Sequence, residues 1–151
     1  MTFEPKKILA ATDFSAGGTR AVDAAFDLAE RYRATLTLVH VIPPSAYLDF
    51  ASGIEGQAIA SIDYQEAVRE AVKESWRNEE ARVRPRGIGV ECLTRTGPPA
   101  LEIAALAKDG GFDLVVLGTH GRSGLKHVLL GSVAEGVVRH TMVPVLMLRT
   151  P

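Results

Sequence analysis

Four small residues at fixed spacing are the part of this chain best suited to chemistry. Gly118 and Gly121 are followed, after nine intervening residues, by the pair Gly131 and Ser132. The apolar run before Gly118 predicts a buried strand, and residues 132–140 carry a helical pattern. Glycines let a backbone turn and approach a ligand closely, and the free N–H groups of a helix N-terminus attract anions. The spacing therefore predicts an anion-binding loop between a strand and a helix.

The composition is that of one ordinary globular domain spanning residues 1–151. With 46% hydrophobic and 23% charged residues, the chain has enough apolar mass for a core. No apolar run approaches the ~20 residues that cross a membrane, and the N-terminus lacks the apolar stretch of a signal peptide, so we expect a cytoplasmic location. The single cysteine, Cys92, excludes an internal disulfide and fits a reducing compartment. The net charge of −1 and the scattered basic residues disfavour a nucleic-acid partner.

Strand and helix signals alternate along the chain. Strands are predicted at Lys7–Thr12, Thr35–Ile42, Ile88–Thr94, Asp113–Leu117 and Val143–Leu148. Helices are predicted after a cap at Ser15, over a long segment ending near Arg84, from Gly97-Pro98-Pro99 to Gly110-Gly111, and from Ser132. Such alternation implies an α/β fold with an open parallel sheet and helices on both faces.

Two suggestive loops follow predicted strands. Thr12 and Asp13 end the first strand, and Gly118 ends the fourth. Open parallel sheets bind ligands outside the carboxyl ends of their strands, where the strand order reverses. If the first and fourth strands are neighbours, the two loops share one crevice; periodicity alone leaves that adjacency open. Residues 43–56 are weakly patterned, which predicts a mobile flap beside the crevice.

The sequence resembles a universal stress protein from Lys7 to Arg149. The resemblance rests on Ile8–Ser15, Leu38–Val41, Asp113–Gly118 and the glycine motif through Leu146. The ATP-binding members of that family carry the signature Gly-x2-Gly-x9-Gly-Ser/Thr, and this chain fills every fixed position. The resemblance implies a three-layer, Rossmann-like fold with five parallel strands in the order 3-2-1-4-5. That order would make the first and fourth strands neighbours.

The same resemblance implies roles for individual residues. Asp13 would hydrogen-bond the ribose of ATP or reach a Mg²⁺ ion. The backbone of Val41 would meet the adenine edge, with Thr12 beside it, and Gly118 would lie under the ribose. The residues expected around the phosphates are Gly121, Arg122, Gly131, Ser132 and Val133. Family members also commonly form a homodimer through the last strand, here residues 143–149, whose apolar edge invites pairing.

Several of these residues also have a purely structural interpretation. Asp13 could cap the first helix, although Ser15 already offers a cap. Ser132 and Glu135 have the spacing of a capping box, which would commit the serine hydroxyl to the helix itself. We place His120 at the site because it lies between two motif glycines, and interpret His40 as a core residue.

We interpret Trp76 as core filling for the long helix. Inside the motif, Arg122 is the favoured phosphate ligand over Lys126, and Gly124 is an extra flexible residue.

Other nucleotide-binding classes fit poorly. No glycine is followed by lysine in the G-x4-GK[ST] frame of a P-loop, and the first strand lacks the G-x-G-x-x-G of a dinucleotide oxidoreductase. No nucleophile–base pair can be identified, so any hydrolysis should be slow. We favour an ATP-binding regulatory module. A slow ATPase and a dimeric stress-interaction protein that does not depend on nucleotide remain open alternatives.

Overall fold

The computed structural model describes residues 2–46, 62–120 and 130–149, and the side chains of residues 62–64 are outside that description. Two predicted ligand residues, Gly121 and Arg122, lie outside it, as do Gly124, Lys126 and residues 47–56 of the predicted flap. The strands are β1 Lys7–Ala11, β2 Thr35–Ile42, β3 Val90–Thr96, β4 Leu114–Gly118 and β5 Val145–Leu148. The helices are α1 Ala16–Tyr32, α2 Ile62–Val83, α3 Pro99–Asp109 and α4 Ser132–His140, with a 3₁₀ turn at Arg84–Arg86.

The five strands form one parallel sheet in the order β3-β2-β1-β4-β5. Ile8 of β1 is in register with Leu36 of β2 on one side and with Leu114 of β4 on the other. The strand order therefore reverses between β1 and β4. The predicted three-layer fold and its 3-2-1-4-5 order are confirmed.

Alternate residues of the strands build a core on each face of the sheet. Ile8 packs with Phe26 of α1 and Trp76 of α2, whereas Leu9 packs with Ile103 of α3 and Val137 of α4. These six side chains are at most 8% exposed, and each fully buried large apolar side chain stabilises the fold by roughly 1.5–3 kcal/mol. The interpretation of Trp76 as a core residue is confirmed. Helices on both faces thereby hold the carboxyl ends of the strands in fixed positions.

Ion pairs join α1 to the end of α2. The Arg82 guanidinium donates to Asp23 at 2.5 Å and to Glu79 at 2.6 Å, and Arg86 pairs with Asp27 at 2.5 Å. The hydrogen bonds that Arg82 donates to Glu79 and Asp23 raise its pKa further above the ordinary value. Arg82 and Arg86 thus face carboxylates of α1.

Some strand boundaries differ from the prediction because hydrogen-bond partners decide them. β3 begins at Val90 rather than at residue 88, since the 3₁₀ turn and the left-handed Gly87 (φ 72°) still turn the chain there. β4 begins at Leu114 because the Asp113 carboxylate accepts the N–H groups of Lys6 and Lys7, at 2.8 Å each. β5 begins at Val145 rather than at Val143. Within the described ranges, no helix combines the length and apolarity that a membrane crossing requires.

Candidate functional site

A cavity of about 640 Å³ lies at the carboxyl ends of the strands, where the strand order reverses. Its size is typical of small-molecule sites, which range over roughly 300–1,000 Å³. All the predicted ligand residues that the structure describes line it: Thr12, Asp13, Val41, Gly118, His120, Gly131, Ser132 and Val133. The fold therefore brings together, in one crevice, loops that are more than a hundred residues apart in sequence.

The end of β2 exposes main-chain groups to this cavity. The β1–β2 pairing stops where the Thr12 N–H donates to the Val39 carbonyl at 2.9 Å. On the other side of β2, the Ile42 carbonyl accepts from Gly97 N–H at 3.1 Å. Successive residues of a strand direct their N–H and C=O groups to alternate sides, so those of Val41 face the space that β1 has left. This buried residue therefore offers an adjacent donor and acceptor to the cavity.

The loop after β1 is a tight turn built around Asp13. The Thr12 hydroxyl oxygen accepts the Phe14 N–H at 3.0 Å, and Asp13 Oδ1 accepts the Ser15 N–H at 3.0 Å and the Ser15 hydroxyl. Ser15 is the N-cap of α1 and accepts the Gly18 N–H at 3.2 Å. The predicted cap at Ser15 is confirmed. The Asp13 side chain instead fixes the turn that leads into α1. Asp13 is one of the residues that line the cavity.

Two glycines are required by close approach of the backbone. A Cβ on Gly118 would lie 3.0 Å from the Gly17 carbonyl oxygen of α1. A Cβ on Gly131 would lie 2.6 Å from the Thr119 carbonyl oxygen, which already accepts the Gly131 N–H at 2.6 Å. The end of β4 is thus tied directly to the residue that precedes α4.

Among the residues that the structure describes, no side chain caps the N-terminus of α4. Gly131 is the N-cap residue, in an extended conformation (φ −70°, ψ 159°), and Ser132 is the first residue of the helix. The predicted capping box of Ser132 and Glu135 is wrong, since the Glu135 carboxylate accepts from Arg139 at 2.6 Å instead. Within the described residues no side chain caps the first amides of α4, and Ser132 and Val133 line the cavity. Uncapped helix N-termini are favourable places for anions.

Both His120 and His40 line the cavity. Nδ1 of His120 is 3.0 Å from the Thr119 hydroxyl oxygen. His40 is half-buried, and its Nδ1 donates to the Thr12 carbonyl at 2.9 Å, so its hydrogen bond is satisfied as expected. His40, interpreted from the sequence as a core residue, thus also lies at the cavity. His40 lies two residues before the end of the predicted strand Thr35–Ile42, and this position in the sequence could have placed it near the carboxyl-end crevice.

Phe14 is a cavity residue that sequence reasoning missed. It has a left-handed backbone (φ 62°), and its ring centroid is 4.7 Å from that of His40 and 5.0 Å from that of Trp76. Among the described lining residues, Asp13 is the one carboxylate. Over the same part of the chain, no three His, Cys, Asp or Glu side chains cluster as a preformed metal site.

Comparison with known proteins assigns this architecture to a family. The model of the universal stress protein family matches residues 4–149. Universal stress protein YxiE of Bacillus subtilis is 33% identical over 147 residues, which cover 95% of this chain and 98% of that protein. Universal stress protein MJ0577 of Methanocaldococcus jannaschii is 28% identical over 153 residues, which cover 95% and 94% of the two chains.

Solved structures of similar proteins share this fold. The structure of MJ0577 superposes with a TM-score of 0.82 at 27% identity and covers 99% of both chains. A universal stress protein crystallised in complex with cAMP shares the fold, with a TM-score of 0.67 at 24% identity and coverage of 96% and 97%. The chain belongs to the universal stress protein family.

Proposed function

We propose that this protein is a regulatory module that binds an adenine nucleotide, with ATP and Mg²⁺ as its ligand. One observation carries the proposal: the open main-chain edge of Val41 and the N-terminus of α4, which no described side chain caps, line the same cavity at the strand-order reversal. A nucleotide needs these two features together, one for its base and one for its phosphates. The crevice at such a reversal is also where open α/β sheets bind ligands.

The base would lie against the end of β2. Adenine presents a ring nitrogen that accepts a hydrogen bond beside an amino group that donates one, which complements the N–H and C=O of Val41. Apolar side chains of the cavity wall would cover the ring faces, among them Val39, Ile103 and Leu117. A flat apolar slot with a few placed polar groups is the usual form of such a site.

The polar half of the nucleotide would lie across β1 and β4. Asp13 would hold the ribose or the metal ion, and the backbone of Gly118 would lie under the ribose. The amides of Ser132 and Val133 would meet phosphate oxygens, together with Gly121 and Arg122 of the motif. Mg²⁺ is commonly held by one or two carboxylates together with substrate phosphates, so a site with Asp13 as its carboxylate fits this ion.

A regulatory role is favoured over catalysis. The titratable side chains among the described lining residues are Asp13, His40 and His120. One ring nitrogen of each histidine is already hydrogen-bonded, to Thr12 and to Thr119, and one Asp13 oxygen accepts from Ser15. No arrangement of nucleophile, base and orienting group is present in this set. A slow ATPase remains the alternative, and phosphate release measured over hours separates the two.

Titration calorimetry tests the ligand. We expect binding of ATP, with ADP, AMP, cAMP and GTP as comparisons; cAMP is included because another family member was crystallised with it. Mass spectrometry of small molecules released from the purified protein identifies the ligand carried from the cell. Absence of both heat and a thermal shift at millimolar nucleotide would remove the proposal and leave the nucleotide-independent alternative.

A homodimer through β5 is a second part of the proposal. The Pro144 and Leu148 carbonyls bond to β4, so the N–H and C=O groups of Val145 and Met147 point to the outer edge of the sheet. All four residues of β5 are half-exposed, and Met142 just before it is fully exposed. The missing N–H of Pro144 faces β4, so this proline does not limit pairing with a partner. A second β5 would satisfy the open edge.

A further inference from the structure

We propose that Phe14 is a positioning residue of the nucleotide site, which holds the Asp13 carboxylate in place for its ligand. The proposal rests on the proposed function, because it assigns to Phe14 an effect on that ligand. Three observations carry it: the backbone of Phe14, the contacts of its ring and the hydrogen bonds of its two neighbours.

The backbone of Phe14 is in a conformation that bulky residues rarely adopt. Its φ is 62°, in the left-handed region that glycine and asparagine occupy at lower cost. Such residues persist where the surroundings over-determine them, and they are concentrated at functional sites. A glycine would suit the backbone here, so the presence of a phenylalanine indicates that its ring is needed.

Two aromatic contacts of the ring fix the turn. It lies 4.7 Å from the His40 ring of β2, and the ring of Trp76 in α2 meets it edge-on at 5.0 Å. Both partners are anchored in turn. His40 Nδ1 donates to the Thr12 carbonyl at 2.9 Å, and Trp76 Nε1 donates to the Thr94 hydroxyl of β3 at 2.9 Å. The Phe14 side chain therefore connects the turn to the rigid elements around it.

The backbone of this turn orients the Asp13 carboxylate. With Phe14 left-handed, its N–H reaches the Thr12 hydroxyl, and the next N–H, of Ser15, reaches Asp13 Oδ1. Gly18 of α1 leaves the space that these side chains need, since a Cβ there would lie 2.6 Å from the Thr12 hydroxyl oxygen and 2.8 Å from Asp13 Oδ1. A change in the φ of Phe14 would break this set of contacts and rotate the carboxylate.

Phe14→Leu tests the proposal, because leucine keeps apolar contact but removes the ring. Phe26→Leu is the matched control: it removes a fully buried ring from the same core cluster, away from the turn. In the ligand-free protein, amide hydrogen exchange of Phe14 (or its replacement) and Ser15 should rise at least tenfold in the first variant. It should stay near the wild-type rates in the second, whatever its loss of stability. Unchanged protection of the turn in Phe14→Leu overturns the proposal.

Binding gives the second readout. ATP affinity should fall about tenfold in Phe14→Leu and by less than twofold in Phe26→Leu. In an Asp13→Asn background, Phe14→Leu should lower ATP affinity by less than threefold. A residue that acts through Asp13 loses its effect on binding once the Asp13 carboxylate is removed. Equal losses in both backgrounds overturn the proposal. If the leucine variant does not fold, Phe14→Met, which conserves side-chain volume, replaces it in the same measurement. Its ATP affinity should fall three- to tenfold. If the wild type binds no nucleotide, the proposed function fails, while the exchange measurement still decides whether Phe14 holds the turn.

Discussion

Gly131→Ala isolates the contribution of the β4–α4 junction to ligand binding. Gly131 has an ordinary backbone conformation, so alanine brings no strain in φ. The new Cβ would instead lie 2.6 Å from the Thr119 carbonyl oxygen, whereas ordinary contacts begin at 3.4 Å. The junction must therefore open by about 0.8 Å, and the hydrogen bond from Gly131 N–H to that oxygen stretches with it.

The size of the effect follows from these distances. Loss of the Gly131–Thr119 bond costs about 1 kcal/mol of stability, and alanine at an N-cap costs up to about 1 kcal/mol more than glycine. A shift of 0.8 Å also moves the α4 amides out of hydrogen-bond range of a phosphate oxygen that was about 2.9 Å away. Hydrogen bonds to charged groups contribute roughly 1.5–3 kcal/mol, so loss of one should weaken ATP binding more than tenfold.

The assay compares three glycine variants by chemical denaturation and by titration calorimetry with ATP. Gly136→Ala places a Cβ 2.5 Å from Ala100 Cβ at the α3–α4 contact, away from the cavity, and should change stability while affinity stays within twofold. Gly89→Ala meets nothing within 4 Å and should change neither quantity. A folded Gly131→Ala protein that binds ATP within threefold of the wild type would refute the reasoning about the junction.

Three further predictions follow from the described contacts. Asp13→Asn keeps an oxygen for Ser15 but removes the charge, so ATP binding should weaken about tenfold and lose its sensitivity to EDTA in calorimetry. If light scattering finds a dimer of the 16.2 kDa chain, Val145→Pro, which removes an outward N–H, should shift it to monomer, whereas an unchanged mass would exclude pairing through β5. Burial, with the neighbouring Glu80 carboxylate, raises the pKa of the Cys92 thiol to about 12. The neutral thiol therefore favours the folded state fully below its ordinary pKa of 9.0, and this contribution is lost as the pH rises toward 12. Native Cys92 should accordingly react slowly with iodoacetamide at pH 8 and much faster in denaturant.

The structure of the sheet edge determines which variant tests the dimer most specifically. Side-chain alternation in the sequence suggests Leu146→Lys as an interface change. In the structure Leu146 packs against the core beside α1, so a lysine there would disturb the monomer itself. The outward groups of β5 are main-chain groups, and for that reason Val145→Pro is the more specific perturbation.

Much of the fold is readable from the sequence because local patterns determine it. The apolar run of β2, the serine that caps α1 and the proline that opens α3 each act within a few residues of themselves. Strand adjacency has no local signal, and the correct order came from the family resemblance. The exact start of β4 was missed for the same reason. The Asp113 carboxylate accepts from Lys6 and Lys7, which lie 107 and 106 positions earlier in the chain.

The capping box at α4 shows how a tertiary contact overrides a local motif. Ser132 and Glu135 have the right types and spacing, and a capping serine must itself be extended rather than helical. Here the bond from Gly131 N–H to the Thr119 carbonyl, twelve residues earlier, fixes Gly131 as the last extended residue and places Ser132 inside the helix.

The consequence of that shift bears directly on the site. A serine cap satisfies the same first-turn amides that a phosphate would use, so the two compete. Glycine at the N-cap leaves those amides for a ligand at the cost of some helix stability. Violations of local rules are expected where function requires them, and this one lies at the point where the proposed site needs free N–H groups. In the proposed site, the Gly131-Ser132 end of the motif therefore contributes two physical effects, a close approach between β4 and α4 and a helix terminus that no described side chain caps.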